Sequence, residues 1–216
     1  MYLSKITLHT SELAPAQLLQ MVERGEYAMH QWLWELFPGM AERTFLYRRE
    51  ELQGAFRFYV LSQSEPKSHT FFILETRLFQ PQLRVGQRLS FNLRANPVVC
   101  KGGKRHDLLM DVKQQLRDQL DPRAIWPHQA QAACDWLTRQ GEQSGFSLEG
   151  VEVGVYRQQQ MVGGKSKSYI RFSSVDYTGV LVVTDPVGLI ARLAQGFGKS
   201  RAFGCGLMLI KPETER

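Results

Sequence analysis

Of the five histidines (His9, His30, His69, His106 and His128), His30 stands in the most suggestive surroundings. Tyr27 precedes it by three residues within a helix-patterned segment, so both side chains project from one face. An imidazole and a phenol so placed can move or orient protons at a shared substrate near neutral pH. Leu33, Trp34 and Phe37 follow His30 at i+3, i+4 and i+7. The pair therefore fits the edge of an apolar stripe equally well, and spacing alone leaves both readings standing.

Other familiar chemistries find no motif. The histidines show no HxH or HExxH spacing, the acids are dispersed, and Cys100, Cys134 and Cys205 form no CxxC pair, so no metal or other cofactor is expected. The thiols read as buried or incidental. Gly164-Lys165-Ser166 and Gly198-Lys199-Ser200 resemble the end of a P-loop, but Gln159 and Leu193 stand where its first glycine belongs. Gly196-Phe197-Gly198 leads to Arg201, where a dinucleotide fingerprint needs Gly or Ala.

Two basic segments remain. Residues 196–207 combine four glycines with Lys199, Arg201, Phe197 and Phe203, a mixture that lets backbone approach phosphates and rings stack on bases. Arg157, Lys165, Lys167 and Arg171 flank or occupy a Gln- and Gly-rich stretch between two strand patterns. They would line an extended hairpin able to grip nucleic-acid phosphates, or a solvated loop.

These segments lie in a chain of 216 residues and 24.8 kDa, 43% hydrophobic and 22% charged, enough for one full domain or two compact ones. Its longest purely aliphatic run is Val180–Val183, far below the ~20 residues of a membrane span. Residues 1–7 alternate polar and apolar side chains, unlike a signal peptide. A soluble, cytoplasmic protein without membrane partners is expected. Net charge is +6, unevenly spread. Residues 76–106 hold seven bases, Lys104 and Arg105 among them, and no acid; residues 153–212 hold eight bases against Asp176 and Asp185. Two basic blocks in an otherwise acidic chain suit a polyanion-binding surface.

Periodicity predicts a strand over Tyr2–His9, a helical stretch from Pro15 to about Phe37 interrupted near Gly25, and strands at Thr44–Glu50, Ala55–Ser62 and Thr70–Phe79. A second block opens with a strand at Arg88–Leu93, a Gly/Lys loop at 101–105, and helices over Asp107–Leu120 and from Trp126 to Gly141. Strands follow at Phe146–Tyr156, Ser168–Ser174 and Thr178–Thr184, then a helix capped by Asp185-Pro186, then a strand at Phe203–Ile210. The expected class is α+β: two domains, 1–85 and 86–216, each a small antiparallel sheet with helices on one face.

Six segments in order resemble the CasE family: Met1–Lys5, Tyr27–Pro38, Phe91–Pro97, Gly102–Arg105, Gly179–Asp185 and the glycine segment ending at Leu207. CasE proteins are the CRISPR RNA-processing endoribonucleases of type I-E systems and subunits of the Cascade complex. The resemblance implies tandem ferredoxin-like (RRM-like) domains and metal-independent cleavage of a CRISPR repeat on the 3′ side of its hairpin. The ribose 2′-OH would attack its own phosphate, leaving a 2′,3′-cyclic phosphate and a 5′-hydroxyl. His30 aligns with the family's catalytic histidine and Tyr27 with its tyrosine partner.

The implied partners are the repeat hairpin, in precursor and mature crRNA, and other Cascade subunits. Arg157, Lys165, Lys167, Arg171, Lys199, Arg201, Lys104 and Arg105 are the expected RNA contacts. A non-catalytic subunit that anchors the guide would use the same basic blocks, but it would need neither Tyr27 nor His30. A generic RRM-like RNA chaperone fits the fold and leaves the glycine segment unexplained.

Overall fold

A computed structural model describes residues 1–213 apart from 25, 40, 41, 43 and 163–168; at 20, 22, 24, 26, 161 and 162 it describes backbone only. The first 78 residues run β1 (Tyr2–His9), α1 (Pro15–Arg24), α2 (Glu26–Glu35), β2 (Phe45–Leu52), β3 (Ala55–Ser62) and β4 (Phe72–Leu78). The four strands form one antiparallel sheet in the order β2-β3-β1-β4. Period-two alternation puts Ser4, Ile6 and Leu8 of β1 and Phe58 and Val60 of β3 on the buried face. Ala28, Met29, Trp32, Leu33, Leu36 and Phe37 supply the helical side of that core, with His30 and Trp34 half-buried beside them. Leu33 is fully buried, so truncation to alanine would cost about 2–5 kcal/mol.

The second sheet comes from β5 (Arg88–Ala95), β8 (Phe146–Val162), β9 (Tyr169–Val183) and β10 (Met208–Pro212), in the order β10-β5-β9-β8. A separate hairpin, β6 (Val98–Lys101) and β7 (Lys104–Asp107), precedes α3 (Leu108–Leu116) and α4 (Ile125–Glu142); α5 (Pro186–Gln195) follows β9. Asp107 caps α3 by accepting from the Met110 N–H at 3.0 Å, and Asp185 caps α5 from Val187 at 3.0 Å. Helices α3, α4 and α5 pack on one face through Leu109, Trp136, Leu137, Leu189 and Leu193. Each unit is an antiparallel, ferredoxin-like sheet with its helices on one side, and the pair makes an α+β tandem.

The helix-free faces meet. Leu46 and Leu61 of the first sheet pack with Leu207, just before β10, and Leu3, Tyr59, Phe79 and Leu209 flank them. Among the described residues no helix is long and apolar enough to cross a membrane.

Four element predictions need correction. The two strands predicted at Ser168–Ser174 and Thr178–Thr184 are replaced by one, β9 (Tyr169–Val183), because Val175 and Tyr177 continue the buried alternation through Asp176; Ser168 lies outside the described residues. β8 runs past Tyr156 to Val162, paired with β9 throughout that extension. The 101–105 loop is the tip of a hairpin that turns on Gly102 and Gly103, both at positive φ. The last strand begins at Met208, since Gly204 and Gly206 are left-handed and Arg201–Phe203 is a 3-10 turn.

Candidate functional site

His30 sits where α2, the edge strand β2 and the glycine segment meet. Its ring stacks on Tyr47 of β2, with centroids 6.1 Å apart and planes at 23°. Trp34 approaches edge-on at 5.9 Å, Phe45 lies at 6.5 Å, and Phe203 reaches it from the far end of the chain at 6.2 Å. Tyr47 donates its hydroxyl proton to the Ala202 carbonyl at 3.1 Å, joining the two halves beside the imidazole. Tyr27, half-buried, lies one helical turn before His30 on the same face.

The glycines bend the segment round this point. Gly198 has φ +72, and a Cβ there would stand 2.6 Å from the Asn96 carbonyl oxygen, which accepts from the Lys199 N–H at 3.1 Å. At Gly204, with φ +76, a Cβ would stand 3.4 Å from the Tyr47 ring. Asn96 donates through Nδ2 to Ser200 Oγ at 2.7 Å. The Arg201 guanidinium closes the loop from within, donating to the carbonyls of Gly198 (3.2 Å) and Gln195 (2.6 Å). Lys199 is exposed.

Phe203 also stacks on Phe172 of β9 at 5.3 Å and 22°. Phe172 borders a groove of about 700 Å³ between the β6–β7 hairpin and the β8–β9 ribbon, lined also by Asn96, Arg105, His106, Gln158 and Arg171. Arg105 and Arg171 are thus brought to one concavity next to the His30 seam, both exposed. Lys104 is exposed one residue nearer the hairpin tip. Lys165 and Lys167 lie outside the described residues. Beside the groove, Tyr156 donates to Asp107 Oδ2 at 2.9 Å; burial pushes its phenol up to about 12, which keeps it a donor.

Arg157 turns toward Asp176, its Nη1 3.6 Å from the carboxylate, with half its side chain still exposed. Arg94 holds Asp176 bidentately at 2.8 and 3.0 Å, and Arg48, from the other sheet, lies 3.9 Å away. Arg48 also donates to Asn92 Oδ1; it is 7% exposed, and burial lowers its pKa. The Asp176 carboxylate thus gathers guanidiniums from both sheets. Sequence reasoning passed over Arg48, Arg94 and Asp176. The available signal was Asp176 itself, one of two acids in the basic 153–212 block. Tyr47 carried no signal, because its relation to His30 exists only in three dimensions.

Residues 1–212 match the sequence model of the family described as CRISPR associated protein. The chain is 31% identical, over 98% of its length and all of the relative's, to the CRISPR system Cascade subunit CasE of Escherichia coli (strain K12). It belongs to the CasE family. A second CasE-type relative, the CRISPR-associated endoribonuclease Cse3 of Thermus thermophilus, is 27% identical over 98% of this chain and the whole of that one. A solved structure of CRISPR endoribonuclease Cse3 bound to a 19 nt RNA superposes with a TM-score of 0.75 at 25% identity, covering 98% of this chain and all of that chain. The likeness to that CasE-type fold extends over both sheets of this chain.

Proposed function

We propose that this CasE-family chain is a metal-independent endoribonuclease that cuts CRISPR repeat hairpins in precursor crRNA. It then stays on the 3′ hairpin as a Cascade subunit. The observation that carries this reading is His30 held at the junction of both halves, with Tyr27 one turn before it, in a chain matching an endoribonuclease over its full length. The ribose 2′-OH attacks the adjacent phosphorus, the P–O5′ bond breaks, and the products carry a 2′,3′-cyclic phosphate and a 5′-hydroxyl. One proton must leave the 2′-oxygen and another must reach the 5′-oxygen; His30 and Tyr27 share these transfers.

Arg105, Arg171, Lys199, Lys104 and Arg157 contact the RNA backbone, and Lys165 and Lys167, between β8 and β9 in sequence, add phosphate contacts. Arg201 acts by shaping the loop that presents Lys199 and Phe203. The catalytic helix belongs to a domain of residues 1–85 and the basic ribbon to one of residues 86–216, and the protein works in the cytoplasm.

The deciding assay incubates the protein with 5′-labelled repeat RNA in EDTA, beside a substrate carrying 2′-deoxyribose at the cut. Cleavage of the first alone, with a cyclic phosphate end, supports the enzyme. Tight binding without cleavage supports a guide-anchoring subunit instead.

A further inference from the structure

The groove beside Phe172 has a composition that stem binding does not require. A-form stems present phosphates and 2′-hydroxyls, while their bases stay stacked on one another. Phe172 stacks on Phe203 and lines the groove. An aromatic surface of this kind pairs with the face of a base that has left its stack. At about 700 Å³ the groove matches a small-molecule or single-nucleotide site and is far too small for a duplex.

Its polar groups fit the rest of a nucleotide. Arg105 and Arg171 stand exposed on its two walls, one on the β6–β7 hairpin and one on the ribbon, within reach of a flanking phosphate. Asn96, 6% exposed, lines the same groove; Ser200 takes its Nδ2, while its Oδ1 is buried with no hydrogen-bond partner among the described residues. A buried acceptor left unsatisfied is costly, and an amino or imino N–H of a base edge would satisfy it after a small adjustment. Gln158 adds a side-chain amide that can donate and accept.

We infer that this groove binds one unpaired ribonucleotide flanking the repeat stem, its base on Phe172 and its edge toward Asn96, beside the phosphate that is cut. The inference rests on the ribonuclease reading above. Phe203 supplies the link, since the same ring contacts His30 at 6.2 Å and Phe172 at 5.3 Å. A base seated in the groove would draw the neighbouring phosphate toward His30, so the site would set where the strand is cut as well as how tightly it is held.

The test measures Kd and single-turnover rate for repeat RNAs in which each unpaired nucleotide flanking the stem is made abasic in turn. One position should weaken binding roughly tenfold with the unmodified protein, as expected for loss of one stacked base. Phe172→Leu keeps apolar contact with Phe203 but removes the stacking surface; it should show the same loss on intact RNA and no further loss on the abasic RNA. If intact repeat binds and is cut while no abasic position shifts Kd beyond twofold, the groove holds no base and the ribonuclease reading stands. An abasic penalty that persists undiminished in Phe172→Leu also overturns the assignment. If intact repeat is neither bound nor cut, both readings fall together.

Discussion

The imidazole of His30 and the phenol ring of Tyr47 lie nearly parallel at 6.1 Å, and the Tyr47 hydroxyl is tied to the Ala202 carbonyl at 3.1 Å. A histidine on the first helical layer is thereby oriented by a strand that is itself tethered to the last tenth of the chain. Tyr47→Phe keeps the ring and removes the hydroxyl that makes the tether. The expected loss is about 1 kcal/mol of stability by chemical denaturation. Cleavage should slow several-fold with hairpin affinity unchanged; an unaltered rate would limit Tyr47 to packing.

His30→Ala tests the catalytic assignment directly. The single-turnover rate should fall by about 10²–10⁴-fold, the usual contribution of a positioned acid or base, while hairpin Kd stays within a few-fold. Loss of binding and cutting together, with a lowered unfolding midpoint, would make His30 a packing residue of the aromatic cluster.

Lys165→Ala combined with Lys167→Ala should weaken hairpin binding and flatten its dependence on salt. Each lost phosphate contact removes about 0.8 from the slope of log K against log[salt], because fewer counterions are released. Titrations at several salt concentrations measure it, and an unchanged slope takes these two lysines out of the interface.

Asp176→Asn withdraws the carboxylate shared by Arg48, Arg94 and Arg157 while preserving shape. Arg48 is buried and draws its main charge complement from the other sheet, so the cost should be about 3 kcal/mol in urea unfolding. Stability within ~0.5 kcal/mol of the parent would show that the three guanidiniums are adequately solvated without it.

Local signals made much of the fold legible. Ala55–Ser62 was readable from alternation, and Asp185-Pro186 announced helix α5 through capping. Legibility faded where physics is non-local. The outer β8–β9 ribbon is polar on both faces, with Arg157, Gln158 and Gln160 exposed and Ser173 and Ser174 buried, so the two-residue hydropathy period carries little contrast there. Asp176 lies in the gap between the two strands predicted there, and its charge is met in the fold by Arg94 and Arg48, both distant in sequence. The site divided along the same line. Tyr27 and His30 share a helix and could be paired by spacing, whereas Tyr47, Phe172 and Phe203 meet only through the packing of the two sheets. Arg201 read as a phosphate ligand by composition, yet its guanidinium donates to loop carbonyls, a geometry that residue type alone does not reveal.

The bond between Tyr47 and Ala202 spans 155 residues. At ~5–20 residues per second, translation needs about 8–30 s to cover that interval. During that time α2 can fold and bury its apolar stripe, yet His30 still lacks Phe203 and the tether that steadies Tyr47. A nascent chain therefore lacks the full surroundings of His30 until the glycine turn closes over it.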